Sequence, residues 1–141
     1  MSAPDTFQNE FRFVFFSPVE LYEATIAFYR DVMQFPVRGG FGEDPGQVRG
    51  TYIQAASGLI EIIADPVESP LFSSVLESGQ RFQAARGGYF LIEVHNVNEI
   101  YRRLVDQGAA IHRAVTDWPW GFRDFMIQDP CGNTLCLFSR I

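Results

Sequence analysis

The sequence predicts an α+β fold made of two βαβββ units, each a curved mixed sheet with a helix on one side. Three observations lead there. Apolar spacing switches repeatedly between the two-residue period of strands and the three- to four-residue period of helices. The order of strand, helix and further strands occurs twice, in residues 11–64 and again in 88–139, around a linker at 65–87. The two helix regions also match each other, SPVELYEATIAFYRDVMQFPV against HNVNEIYRRLVDQGAAI, with Val19 facing Val97. Together the units make one domain of 141 residues, a length that buries roughly 70% of the unfolded surface without disulfide staples.

Each element has a local reason. Phe11 to Phe16 (FRFVFF) is an aromatic run that reads as a buried strand. Ser17-Pro18 stops it, and Pro18 suits the first turn of a helix. From Val19 to Met33 the residues Leu21, Tyr22, Ile26, Tyr29 and Met33 recur at helical spacing, which gives an amphipathic helix. A glycine-rich loop (Gly39, Gly40, Gly42, Gly46) leads to strands at Val48–Gln54 and Leu59–Ala64, joined as a hairpin through Ala-Ala-Ser-Gly. The linker is rich in proline and serine, with room for a short helix around Leu71 to Leu76. The pattern then restarts. Tyr89–Val94 is a strand, and Val97–Gln107 is a helix with Ile100, Tyr101, Leu104 and Val105 inward and Gly108 as its stop. Ala110–Val115, Phe122–Gln128 and Thr134–Phe138 complete the second unit.

Composition narrows the function classes. The formal net charge is −6, the reverse of the basic face that nucleic-acid binding requires, and an acidic field attracts cationic ligands instead. All 11 basic residues are arginine, so lysine Schiff-base chemistry is excluded and guanidinium is the only strong cationic handle. Fourteen Phe, five Tyr and two Trp leave material for a stacking cavity beyond what a core uses. Met1 to Glu10 is polar without an apolar signal core, and no apolar run approaches the roughly 20 residues that span a bilayer. Two cysteines, Cys131 and Cys136, are no disulfide framework. The expectation is a soluble cytoplasmic protein with a small-molecule ligand and neither nucleic-acid nor membrane partners.

Three segments carry a family likeness: Phe28-Tyr29-Arg30-Asp31-Val32-Met33-Gln34-Phe35 at the end of the first helix, Val94-His95-Asn96-Val97 before the second, and Gly121 to Leu135 (GFRDFMIQDPCGNTL). On these the chain resembles the vicinal oxygen chelate superfamily, which holds glyoxalase I, extradiol dioxygenases and the bleomycin-resistance proteins. The resemblance covers residues 11 to 139 and implies paired units around a cleft, commonly completed in a homodimer. In enzymatic members it implies a divalent metal, held by His, Glu or Gln on each unit's first strand and by Glu near the end of each last strand. Here the first-strand positions fall on Phe11, Phe13 or Val14 and on Tyr89, and the last-strand positions on Glu61 and Cys136. Only Glu61 is a family ligand, so no cofactor is expected. The likeness is greatest in character to the metal-free bleomycin-resistance branch, which binds and sequesters a small molecule.

The candidate ligand-binding residues are Tyr52, Glu61, Tyr89, Trp118, Trp120, Phe122, Arg123 and Cys136. Glu61, set among Leu59, Ile60, Ile62 and Ile63, needs a partner when buried. It either receives a cationic ligand, acts as a general base with raised pKa, or pairs with an arginine. Trp118-Pro119-Trp120 with Phe122 either stacks on a planar or cationic ligand or plugs a core or subunit contact. Tyr52 and Tyr89 offer phenolic hydrogen bonds, and Arg123 offers a fork for a carboxylate. Cys136 has no histidine placed to activate it and reads as a small lining residue; Cys131 lies in an exposed turn. The leading expectation is therefore a metal-free binder of a small aromatic or cationic molecule. The alternative is a lyase, isomerase or dioxygenase using an unconventional metal site or Glu61 as catalytic base.

Overall fold

The computed structural model describes residues 10–73 and 88–141, and in these the chain forms two four-stranded mixed sheets of identical plan. The first half runs β1 (Arg12–Phe16), a 3₁₀ turn (Val19–Leu21), α1 (Tyr22–Ala27), a π turn (Phe28–Val32), β2 (Val37–Phe41), β3 (Arg49–Ala55) and β4 (Gly58–Ala64). A short helix α2 (Pro70–Ser73) follows; the remainder of the predicted linker, and of its predicted helix to Leu76, lies outside the described residues. The second half runs β5 (Phe90–Glu93), α3 (Val97–Asp106), β6 (Ile111–Asp117), β7 (Phe122–Gln128) and β8 (Thr134–Arg140). The sheet orders are β1-β4-β3-β2 and β5-β8-β7-β6, with the outer first strand parallel to the last and all other pairs antiparallel. Neither sheet closes into a barrel, as the α+β reading requires. No described helix is long and apolar enough to cross a membrane.

Several local departures from the sequence reading have physical causes. The first strand, expected to be buried, is buried only at Phe15 and Phe16, because it is the outer strand of its sheet and leaves Phe11, Phe13 and Val14 exposed. Val105, expected inward, is exposed because the helix turns its neighbour Leu104 to the core. The start of the glycine-rich stretch, with Gly39 and Gly40, is the strand β2, while Gly42 and Gly46 lie in the loop that follows. β2 approaches β3 so closely that a Cβ on Gly40 would stand 2.4 Å from the Gly50 carbonyl oxygen, and one on Gly50 would strike the Phe41 ring. Glycine, usually depleted in strands, is here what permits the pairing. The predicted first helix is continuous in path but changes hydrogen-bond register: Met33 N–H reaches the Phe28 carbonyl and Phe35 N–H the Tyr29 carbonyl. The wider turn is a π turn of the kind that locally re-aims side chains. The second helix is regular. The Asn96 side chain caps it by accepting from Glu99 N–H at 3.2 Å, and Gly108 at φ +79° ends it.

Both helices cover the same side of their sheets, and the two halves share one apolar core. Phe15, Ile53, Ile60 and Ile62 of the first sheet join Ile92, Phe125, Ile127 and Leu137 of the second, with Tyr29 and Leu104 from the helices. Each fully buried side chain of this size stabilises by about 1.5–3 kcal/mol. The joint also carries polar bonds. Arg103 Nη1 donates to the Val32 carbonyl at 2.8 Å, and the Tyr29 hydroxyl donates to Asp129 Oδ2 at 2.8 Å. Burial, reinforced by the Asp129 charge, raises the Tyr29 phenol well above its usual value, so it remains a donor.

Asp129 also receives Cys131 N–H, Asn133 N–H and the Asn133 amide at 2.9–3.0 Å, which locks the Asp-Pro-Cys-Gly-Asn turn. Replacing Tyr29 by Phe removes one hydrogen bond to a buried charge while keeping the ring. Urea unfolding should show a loss of about 1.5–3 kcal/mol with an unchanged m-value. An unchanged midpoint would contradict the role given to this bond.

Candidate functional site

Strand register decides which side chains share the sheet face turned away from the helices. In the first half Val14 pairs with Glu61 and Glu61 with Tyr52, so these three face the same way, with Arg12 beside them. Arg12 Nη1 donates to Glu61 Oε1 at 2.7 Å, and its guanidinium lies 4.8 Å from the Tyr52 ring centre. Glu10 pairs with the same arginine. The reading of Glu61 that the structure realises is thus the arginine pair.

In the second half the equivalent pairing is Leu91 with Cys136 and Cys136 with Met126, while Asp124 pairs with Phe138. A cavity of about 360 Å³ opens on this face. Its rim and walls are Tyr89, Leu91, Trp118, Trp120 and Phe122, and its polar groups are Arg113 and Asp124. A larger groove of about 810 Å³ lies between the β3–β4 turn (Ala55 to Gly58) and β5 with Phe138, and its lining holds one phenyl ring and no ion pair with both partners in it. Phe122 and Phe138 stack at 4.1 Å, one belonging to each cavity. The smaller cavity is the candidate site, because aromatic faces and a partly buried ion pair converge on it.

The two indoles are presented by a turn that the sequence dictates. Trp118-Pro119-Trp120-Gly121 closes the β6–β7 hairpin, with Gly121 N–H on the Trp118 carbonyl and Trp118 N–H on the Phe122 carbonyl. Proline presets φ after Trp118, and Gly121 takes φ +90°, a left-handed conformation that favours glycine. The rings stack nearly parallel, 4.8 Å apart at 9°, and Trp120 remains 62% exposed.

Asp124 holds this arrangement from below. Its Oδ1 accepts from Trp118 Nε1 at 2.9 Å and from Arg113 Nη2 at 2.6 Å, and its Oδ2 accepts from the Cys136 thiol at 3.3 Å. Burial opposes ionisation of Asp124, but the bonds from Arg113, Trp118 and Cys136 outweigh it and keep the carboxyl below its ordinary value. Any stability it contributes is therefore present above about pH 4, its usual unfolded range, and lost as pH falls through the lowered folded value. Burial, then the bond to Asp124 and its charge, push the Cys136 thiol up to about 12. Cys136 is thus a hydrogen-bond donor to Asp124 and no nucleophile at neutral pH.

The positions expected to hold a metal do not fit one. Register places Val14 and Glu61 opposite each other in one half, and Leu91 and Cys136 in the other. Val14 and Leu91 have no donor atom, Glu61 is engaged by Arg12, and Cys136 keeps its proton. Hard divalent cations need several oxygen ligands, which this set lacks. Among the described residues no group of three or more His, Cys, Asp or Glu side chains is arranged for a metal ion. His95 and His112 are both exposed.

Of the eight predicted residues, the structure brings Tyr89, Trp118, Trp120 and Phe122 together around the cavity, with Cys136 beneath it on Asp124. Tyr52 and Glu61 stand on the other sheet, outside that lining. Arg123 is not brought in: it faces the opposite side of β7 and pairs with Asp117 through bonds of 2.6 and 2.9 Å. Its neighbour Asp124 takes the inward position, as alternation from Phe122 demands. Cys131, expected to be exposed, is buried against Ser17 and Thr25. Tyr89 precedes β5, and Leu91 occupies the position opposite Cys136.

Residues 14–137 match the sequence profile of the Glyoxalase/Bleomycin resistance protein/Dioxygenase superfamily, and the chain belongs to that superfamily. No curated protein matches the sequence. Solved structures share the fold. A Bacillus anthracis protein assigned to the glyoxalase family superposes with TM-score 0.71 at 18% identity, covering 96% of this chain and 97% of its own. A superfamily member from Sphaerobacter thermophilus gives 0.67 at 18% identity over 96% and 99%. Lactoylglutathione lyase from Agrobacterium tumefaciens gives 0.61 at 21% identity over 90% and 91%.

The site geometry predicts inert thiols. At pH 8 both native cysteines should react with iodoacetamide at least about a hundredfold more slowly than in the urea-unfolded chain, read by peptide mass mapping. Rapid native labelling of Cys136 would contradict its bond to Asp124.

Proposed function

We propose that this member of the superfamily is a metal-free binder that sequesters a small aromatic or cationic molecule, after the manner of the bleomycin-resistance branch it resembles. The observation that carries the reading is the cavity bounded by Trp118, Trp120, Phe122 and Tyr89, set on the sheet face where enzymatic relatives are expected to hold a metal. Its volume falls in the range of small-molecule sites, and indole and phenyl rings supply large, rigid contact area at little entropic cost. Support for binding over turnover comes from the groups that would do chemistry. Glu61 is tied to Arg12, and Cys136 is a hydrogen-bond donor with a raised pKa.

The reading extends to a cytoplasmic homodimer. Phe11, Val14, Tyr89 and Leu91 are exposed on or beside β1 and β5, the outer strands of the two sheets. Apolar side chains along free strand edges are surfaces that a second copy covers. Light scattering should give twice the 16.0 kDa chain mass, and Leu91→Arg should shift it toward the single chain. A monomer at high micromolar concentration would contradict the dimer.

Two measurements test the function. Elemental analysis of untagged protein prepared without chelator should find well under one metal per chain; stoichiometric iron, manganese, nickel or zinc would overturn the metal-free reading. Titration with naphthol should quench indole fluorescence saturably, and Trp120→Ala should weaken binding by about three- to tenfold. An absence of saturable quenching would overturn the binding site.

A further inference from the structure

The net charge of −6 favours a cationic ligand at long range, but the charges on the cavity face tell differently. They comprise two ion pairs: Arg113 with Asp124 at 2.6 Å and Arg140 with Glu93 at 3.0 Å. Locally the face is neutral, and the acidic remainder of the chain is screened beyond about 10 Å at ordinary salt. What a ligand meets is therefore decided by which member of each pair is accessible.

In the pair that lines the cavity, the accessible member is the cation. The Asp124 side chain is 9% exposed and that of Arg113 is 29% exposed. Asp124 already accepts three hydrogen bonds, from Arg113, Trp118 and Cys136, of the roughly four a carboxylate can take. Arg113 has five N–H donors, of which one is spent on Asp124 and another only on a long 3.4 Å contact with the Ala114 carbonyl. The pair therefore presents unused donors to the cavity and hides its acceptor.

The aromatic faces point the same way. Arg113 lies 5.4 Å from the Trp118 ring centre, and Arg140 lies 5.3 Å from that of Phe122. The cation–π positions on these rings are thus occupied by the protein's own guanidinium groups, and an incoming cation would meet like charge. The exposed ring of Trp120 stays available to a flat neutral surface.

We infer that the cavity selects a planar aromatic molecule bearing a carboxylate, with the ring on Trp120 and the carboxylate on the free N–H groups of Arg113, and discriminates against the corresponding cation. This rests on the binding reading above and narrows its ligand class. Arg113, which forks onto a carboxylate more readily than any other group of the site, is the specificity-determining residue.

The test compares three probes with one ring system: naphthoate, naphthamide and naphthylmethylammonium, titrated calorimetrically into the intact protein at constant salt. Naphthoate is expected to bind about tenfold or more tightly than the ammonium, with the amide between them. Arg113→Gln should bring the ratio close to one, and Arg113→Lys should keep part of it. Should Arg113→Gln fail to fold, the wild-type ratio alone decides. Equal affinity, or a preference for the ammonium, overturns the inference; saturable naphthamide binding in that case leaves the binding reading standing. No saturable binding by any of the three overturns both.

Discussion

The carboxylate of Asp129, 5% exposed at the tip of the β7–β8 hairpin, accepts hydrogen bonds from Cys131 N–H, Asn133 N–H, the Asn133 amide and the Tyr29 hydroxyl. Three of these close the turn, and the fourth comes from the helical segment of the other half. A buried charge left short of such partners costs several kcal/mol, so the turn and the joint between the halves form together. That constraint sets the register of β7 against β8. The register places Phe122, Asp124 and Met126 on one face, with Cys136 of β8 beside them. The cavity is a consequence of that hairpin, and its second carboxylate repeats the arrangement on a smaller scale: Asp124 gathers Arg113, Trp118 and Cys136 as Asp129 gathers its turn.

The repeated architecture was legible because it is written in short-range patterns. Amphipathic spacing in the two helices, alternation in the strands and the Asp-Pro-Cys-Gly-Asn turn are all local. β2 was not legible, since its glycines carry the usual signal of a loop and only the close approach to Gly50 explains them. The Trp-Pro-Trp-Gly segment announced the aromatic cluster that lines the cavity. Phe122 and Arg123, both expected at the site, cannot share a face, and alternation from Phe122 gives the inward place to Asp124. Arg113 was beyond reach for a different reason. β6 is irregular on both sides of it, with register shifts between Ile111 and Arg113 and between Arg113 and Thr116, so alternation along that strand does not report which way it points. The burial of Cys131 was hidden too, because Ser17 and Thr25 come from the opposite half of the sequence.

Within one superfamily fold, chemistry depends on a handful of side chains on one sheet face. Here that face has Val14 and Leu91 where donor atoms would be needed, and its carboxylates Glu61 and Asp124 are held in ion pairs with Arg12 and Arg113. Asp124, Arg113 and Cys136 form a closed hydrogen-bonded set whose work is positional: it orients an indole and exposes a guanidinium. On the proposed reading, such a face holds a flat molecule rather than polarising one.

The most direct test of this account follows the two indole N–H resonances by ¹H–¹⁵N correlation spectroscopy as naphthoate is added. The account predicts that the Trp118 N–H, bonded to Asp124, exchanges more slowly with solvent than that of Trp120, and that both shift saturably together. Unmoved indole signals, with shifts confined to the turn at Ala55 to Gly58 and to β5, would place the ligand in the other groove and contradict it.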